Sequence, residues 1–228
     1  MEELYKKTLD RLKAELKKQL PEIEANGDWL WHHPEAGFKE TETQKYCLEV
    51  LKNHGFEACT WPDVTGFTCT YDTGRPGPCV MIMGEMDSLI CYSPPDCNPE
   101  TGAAHACGHS IQVATAMGAF FTLAESGVLE NFGGKVMLAG VPAEECIEIE
   151  WRTREVQKGR LHYLCGKAEL LYRGAFDGVD IVISMHAGLG NDGTITILGS
   201  HNGFTSKNVT FQGRSAHAAA DPENGINA

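Results

Sequence analysis

Leu9, Leu12, Leu16 and Leu20 recur at three- and four-residue steps among charged residues, the spacing of one helix face. Residues 2–20 are therefore expected to form an amphipathic helix that ends at Pro21, with a second helical stretch over 22–33. After the turn His33-Pro34-Glu35-Ala36-Gly37, Thr41 and Gln44 stand at capping-box spacing and open a helix expected to run to His54, before Gly55. The period then changes. Short β-branched or Met-rich runs at 67–72, 79–84, 135–140 and 180–185 read as strands, and the Ala- and Met-rich segment 109–126 reads as a helix between the second and third of them. Strands separated by helices predict an α/β fold with a mostly parallel central sheet and helices on both faces. Residues 194–199 and 205–212 read as two further strands in a Gly-rich, more polar setting, and 216–228 as the start of a helix. The change near Gly188–Gly193 divides the chain into 1–190 and the beginning of a smaller α+β domain, 191–228.

Composition narrows the partners. The chain has 228 residues, of which 42% are hydrophobic and 22% charged, the balance of a globular protein with a real core. No apolar run approaches the ~18 residues of a membrane helix. The charged, amphipathic N-terminus has no apolar core of a secretory signal, so the expected location is the cytosol. The net charge is −12, and the first twenty residues are net basic, so the remainder is more acidic still. Such a surface repels a phosphate backbone, which argues against nucleic acid as a ligand. The nine cysteines are odd in number and form no C-x-x-C pair, so a disulfide framework is not expected and most should be small buried hydrophobes.

Ligands of an open α/β sheet bind beyond the carboxyl ends of its strands. Glu85-Met86-Asp87, Glu144-Glu145 and His186 follow three of the expected strands, and His105-Ala106-Cys107-Gly108-His109 sits where a loop becomes a helix. A thiolate and an imidazole two positions apart, with Gly108 letting the backbone bend between them, suit Zn²⁺ or a neighbouring transition ion. Of two adjacent carboxylates, one can bind metal while the other meets the water that the metal activates. Each cluster also has a plain reading: a buried thiol beside a capping histidine, a solvated acidic loop, a turn aspartate, a core histidine. Their convergence on one edge of the sheet favours a site. There is no G-x-S-x-G, P-loop or G-x-G-x-x-G, and Cys107 with His109 as its base is a poor nucleophilic pair at so short a spacing.

In order along the chain, GEMDSL, HACGH, VPAEE, SMHAG and GRSAHAAADPENGINA resemble the motifs of the co-catalytic metallopeptidase and amidohydrolase family, which includes aminoacylases, aminobenzoyl-glutamate hydrolases and auxin-conjugate hydrolases. The upstream HHPEAGFKETET is similar to that family's N-terminal signature. The resemblance implies a metal-dependent amidohydrolase acting on a small amide such as an N-acyl amino acid or a dipeptide-like substrate. It implies two divalent ions, Zn²⁺ or Mn²⁺ first and Co²⁺ or Ni²⁺ next, held by Cys107, His109, Glu145 and His186. Glu144 would be the general base and Asp87 the carboxylate that orders the site. His217 would belong to a lid domain through which two copies form a homodimer, and would reach the partner's active site to stabilise the oxyanion. Ser110 and Gln112 depart from the family's Asp or Asn and His, and Glu85 stands where distant branches carry a metal-binding His.

The family pattern continues past Ala228 to a further metal-binding His, so the resemblance also implies a truncated chain, under-coordinated at one ion, weakly active or inactive, and marginally stable or prone to associate. Two other functions are compatible with the letters: a silent module that keeps the fold without a competent centre, and a cysteine-based redox or structural zinc protein.

Overall fold

The computed structural model describes residues 2–188, 195, 197, 203 and 209–227. Contacts within the chain divide it into two units, Met1–Leu189 and Gly190–Ala228.

The first unit opens with one helix, α1 (Glu2–His32), where the sequence predicts two. Pro21 lies inside it. An internal proline removes a backbone hydrogen bond and costs ~3 kcal/mol or more, and here packing of α1 along α3 (His109–Glu125) carries the helix through it. The inward face also differs from the leucine stripe. Leu16 and Leu20 are 44% and 47% exposed, whereas Glu15, Gln19, Asn26 and Leu30 are buried. The polar members of this face have partners: Gln19 Nε2 donates to Glu125 Oε2 at 2.8 Å, and Asn26 Oδ1 accepts from Tyr46 Oη at 2.7 Å. α2 (Thr41–Asn53) begins where expected, but not through a capping box. The Glu35 carboxylate, from the preceding turn, accepts from the Glu42 and Thr43 amides, while the Gln44 side chain accepts from the Gly66 amide.

The sheet runs β1 (Ala58–Thr60), β2 (Phe67–Asp72), β6 (Lys135–Val141), β3 (Cys79–Glu85), β7 (Ile181–Ser184). The three central and distal strands β6, β3 and β7 are parallel, and β2 and β1 add an antiparallel margin at the other side. The four strands expected from the sequence are therefore all present, within a residue or two at their ends. One face is covered by α1, α2 and α3, with Phe67, Met117, Phe120 and Leu138 in its core. On the other, Met81, Met83, Ala139 and Val141 pack with Leu161 and Leu170, from the segment that carries α4 (Ile149–Gln157) and α5 (Gly166–Tyr172). A two-stranded ribbon, β4 (Leu89–Ile90) with β5 (Ala103–Ala104), leads into the HACGH turn. β7 is an edge strand whose Ile181, Val182 and Ile183 are exposed.

In the second unit the strand expected at 194–199 and most of that at 205–212 lie outside the described residues, and 209–212 have no strand pairing. The helix expected over 216–228 is replaced by a turn at 218–220 and a short 3₁₀ segment, Pro222–Asn224. Pro222 lacks an amide hydrogen and pushes Asp221 away from helical backbone angles, which ends any helix there. Arg214 and Ile226 form an isolated antiparallel bridge.

Among the described residues no helix is long and apolar enough to cross a membrane. All nine cysteines are free, and only Cys47, Cys69 and Cys79 are buried. The expectation that most are core residues is thus corrected: the others fall mainly on loops and turns rather than on inward-facing strand or helix positions.

Candidate metal centre

The parallel strands bring their carboxyl ends to one edge. Glu85, the last residue of β3, pairs in register with Val141 of β6, and Met83 pairs with Ser184 of β7. Asp87, Glu144, Glu145 and His186 all lie within a few residues beyond these ends, and α3 starts beside them at His109. Gly108, immediately before α3, has φ +85, so the turn between Cys107 and His109 uses a conformation that L side chains rarely adopt.

Cys107 Sγ, a His109 ring nitrogen and a His186 ring nitrogen lie within 4.8 Å of one another. Cys107 Sγ is 3.3 Å from His186 Nε2. Each imidazole is oriented by its other nitrogen. His109 Nδ1 donates to the Asp87 carbonyl at 2.9 Å and His186 Nδ1 to that of Ala187 at 2.8 Å, which leaves both Nε2 lone pairs facing the site. His109 Nε2 is buried and 3.1 Å from Glu85 Oε2, yet not aligned for a hydrogen bond with it. A buried nitrogen without a partner, beside sulfur and a second imidazole, fits a divalent ion of borderline softness. The Glu145 carboxylate stands beside the Cys107 thiol. A second group, Glu85, His109 and Glu144, also has donor atoms within 4.8 Å of one another.

Electrostatics follow from this crowding of acids. Burial, the neighbouring Glu145 and other carboxylates push the Cys107 thiol up to about 12. Burial opposes a charge on His109, but Asp87 and Glu85 outweigh it and raise that pKa to about 10. Both groups must give up a proton before they can ligate a cation. Burial would raise Glu85, but His109 and the Lys167 ammonium hold it down at about 2.

Asp87 is fully buried and links two parts of the site: its Oδ1 is 3.3 Å from His109 Nδ1, and its Oδ2 accepts from the Glu145 amide at 2.9 Å. Glu144 has a different partner, with Oε1 3.4 Å from Lys167 Nζ. His217 lies in the second unit and is exposed, with Nδ1 accepting from the Ala219 and Ala220 amides at 3.2 and 3.0 Å. His105, the first histidine of the motif, is buried and belongs to neither donor group.

Three residues of this region have roles that the motifs do not assign. Lys167, from α5, pairs closely with Glu85 as well as with Glu144. Gln112 accepts from the Glu85 amide at 2.8 Å and donates to Ser184 Oγ at 3.2 Å and the Met185 carbonyl at 2.5 Å, so it staples the ends of β3 and β7. Glu40, fully buried, accepts from the Ala143 amide at 2.8 Å and from Thr65 Oγ1 at 2.5 Å. Burial and then Asp87 push its carboxyl up to about 8. The signal for Gln112 was its departure from the family pattern, and that for Glu40 its place within HHPEAGFKETET, which does not single it out from Glu35 or Glu42; Lys167 carries none.

No protein-family model matches the chain. It is 32% identical over 178 residues to an indole-3-acetyl-aspartic acid hydrolase of Enterobacter agglomerans, covering 72% of this chain and 36% of that one. It is 33% identical over 180 residues to one of the p-aminobenzoyl-glutamate hydrolase chains of Escherichia coli, again over 72% and 36%. A dinuclear metal-binding peptidase of the M20 family from Bacillus subtilis has a similar fold, with a TM-score of 0.59 at 24% identity over 77% of this chain and 44% of that one. The chain is similar to these metallopeptidases and amidohydrolases over most of its own length. It spans 36% to 47% of the length of the curated relatives it matches.

Proposed function

We propose that this chain carries the metal-binding part of a hydrolase that cleaves the amide bond of an N-acyl amino acid or a dipeptide-like compound. The observation that carries the reading is the cluster of Cys107, His109 and His186 at the strand ends, with the Glu144–Glu145 pair beside it. Cys107, His109, Glu145 and His186 would hold two divalent ions, Zn²⁺ or Mn²⁺ being the best match to a mixed sulfur, nitrogen and oxygen donor set. Bound ions of this kind lower the pKa of water towards neutrality and polarise an amide carbonyl. Glu144 takes the proton of the attacking water on a carboxylate oxygen and passes it to the departing amine nitrogen. Asp87 keeps the His109 ring and the Glu145 backbone in register for this chemistry. His217 acts from the lid of a second copy of the chain, donating to the oxygen on which negative charge develops. The Enterobacter and Escherichia hydrolases act on amides of aspartate and glutamate, which supports a small acyl-amino-acid substrate.

Assays of a panel of N-acyl amino acids, with and without a chelator, test the assignment. The expected result is slow release of the free amino acid, in keeping with an under-coordinated ion, lost on chelation and restored by Zn²⁺ or Mn²⁺. Metal binding with no hydrolysis across the panel would instead mean a silent module, and unfolding on chelation a structural zinc site.

A further inference from the structure

The backbone that presents Glu144 and Glu145 is held in an unusual conformation. After Pro142, Ala143 has φ +50, a left-handed state that is disfavoured for any residue with a Cβ. Ala143 is wholly buried, so its amide and carbonyl need partners inside the protein. The amide hydrogen goes to Glu40 Oε1 at 2.8 Å and the carbonyl accepts from the Gly166 amide at 3.0 Å. Gly166 is a close-approach position: a Cβ there would lie 1.7 Å from the Pro142 carbonyl oxygen. Two residues on, the Glu145 amide is tied to Asp87 Oδ2 at 2.9 Å. The turn is therefore pinned on three sides, and Glu40 is the one side-chain acceptor that bonds directly to the left-handed residue. Its own position is set by Thr65 Oγ1 and by complete burial at the entrance to α2.

We propose that Glu40 is a positioning residue of the centre: its hydrogen bond to the Ala143 amide holds the left-handed turn that aims Glu144 and Glu145 in different directions. The proposal rests on the reading of those two residues as general base and metal ligand. Without the acceptor, the buried Ala143 amide loses its partner and the turn relaxes towards ordinary backbone angles, rotating both carboxylates away from their places. The loss would appear in kcat and metal affinity rather than in substrate affinity, because Glu40 faces the turn from beneath and touches no substrate.

The test uses the whole protein and three variants, Glu40→Ala, Glu40→Gln and Leu138→Ala. Leu138 is a buried β6 residue away from the turn and reports the effect of destabilisation alone. Each is checked for folding by circular dichroism, titrated with Zn²⁺ by calorimetry, and assayed for kcat and KM. Glu40→Ala is expected to weaken Zn²⁺ binding by ~10- to 100-fold, the range for loss of a group that supports a ligand, and to lower kcat with KM little changed. Glu40→Gln offers the same amide acceptor to Ala143 and an amide donor to Thr65, and should restore both. Leu138→Ala should melt earlier yet bind Zn²⁺ as the parent does.

If Glu40→Ala does not fold, Glu40→Asp retracts the acceptor by one methylene and should give the same losses. A folded Glu40→Ala or Glu40→Asp with parental affinity and kcat overturns the proposal, as does a Glu40→Gln no better than the alanine variant, or a Leu138→Ala that loses affinity equally. A parent protein that binds no Zn²⁺ overturns instead the reading of the centre on which the proposal rests.

Discussion

Replacing Glu144 with glutamine is expected to leave the metal content unchanged and to lower kcat by about 10²- to 10⁴-fold, the usual contribution of a positioned general base. The substitution keeps the size of the side chain and its contact with Lys167, since a glutamine oxygen can still accept from the ammonium 3.4 Å away. It removes the negative charge and, with it, the ability to take and return a proton. Glu144 shares a donor group with Glu85 and His109 rather than with the Cys107 thiol and His186, so an ion held by Cys107, His109, Glu145 and His186 should remain when its charge is removed. Metal analysis beside steady-state kinetics checks both halves. Retained turnover would remove Glu144 from the chemistry, and loss of metal with turnover would make it a ligand.

His109→Ala should be the most damaging single change. The imidazole is 1% exposed and lies between two buried carboxylates, 3.3 Å from Asp87 Oδ1 and 3.1 Å from Glu85 Oε2. In the metal-free protein those carboxylates draw a proton onto it, against the opposing effect of burial. Deleting one partner of a buried ionic group leaves the others uncompensated, which costs on the order of 3 kcal/mol. The same change deletes a proposed ligand and frees Asp87, so metal affinity should fall by ~100-fold or more, beyond what loss of an outer partner costs. Denaturant unfolding of the metal-free protein and a Zn²⁺ titration measure the two effects separately. A variant as stable as the parent would mean that Glu85 and Asp87 are satisfied elsewhere, by Lys167 and the Glu145 amide.

The parts of the molecule that were legible in the sequence are those where one physical rule dominates. The strands at 79–84 and 135–140 are largely buried apolar runs, 67–72 alternates buried with exposed positions, and 180–185 is an apolar run that pairs as an exposed edge strand. The common direction of β3, β6 and β7 places the polar residues after their ends on one edge, and α3 begins at that edge, which is why Cys107 and His109 meet His186 although 79 positions separate Cys107 from it. Two features of the N-terminal helices were not legible because distant groups decide them. Pro21 ends a helix in isolation, but the length of α1 is set by its packing on α3. The buried face of α1 is chosen by Glu125 and Tyr46, partners that a periodicity of leucines does not contain.

The site shows the same division. Glu40 falls within the HHPEAGFKETET run but is one of three glutamates there, and Lys167 is a charged residue within a helix. Their roles depend on the left-handed Ala143 and on the approach of α5 to β3, neither of which leaves a mark on neighbouring letters. Gln112 shows how a departure from a family pattern can be structural: its amide bridges β3 and β7, a task that needs both a donor and an acceptor. The helix expected at 216–228 fails for a local reason, the proline at 222, that the alanine-rich run before it conceals.

Cobalt(II) substitution followed by absorption spectroscopy tests the thiolate ligand, and with it the whole centre, most directly. A thiolate bound to Co²⁺ gives an intense near-ultraviolet charge-transfer band that nitrogen and oxygen ligands do not. The parent protein and Cys146→Ser, in which an exposed thiol beside the site is removed, should both develop the band on titration, and Cys107→Ser should not. A band that survives in Cys107→Ser, or that never forms in the parent, would contradict a metal centre built on Cys107, His109, Glu145 and His186.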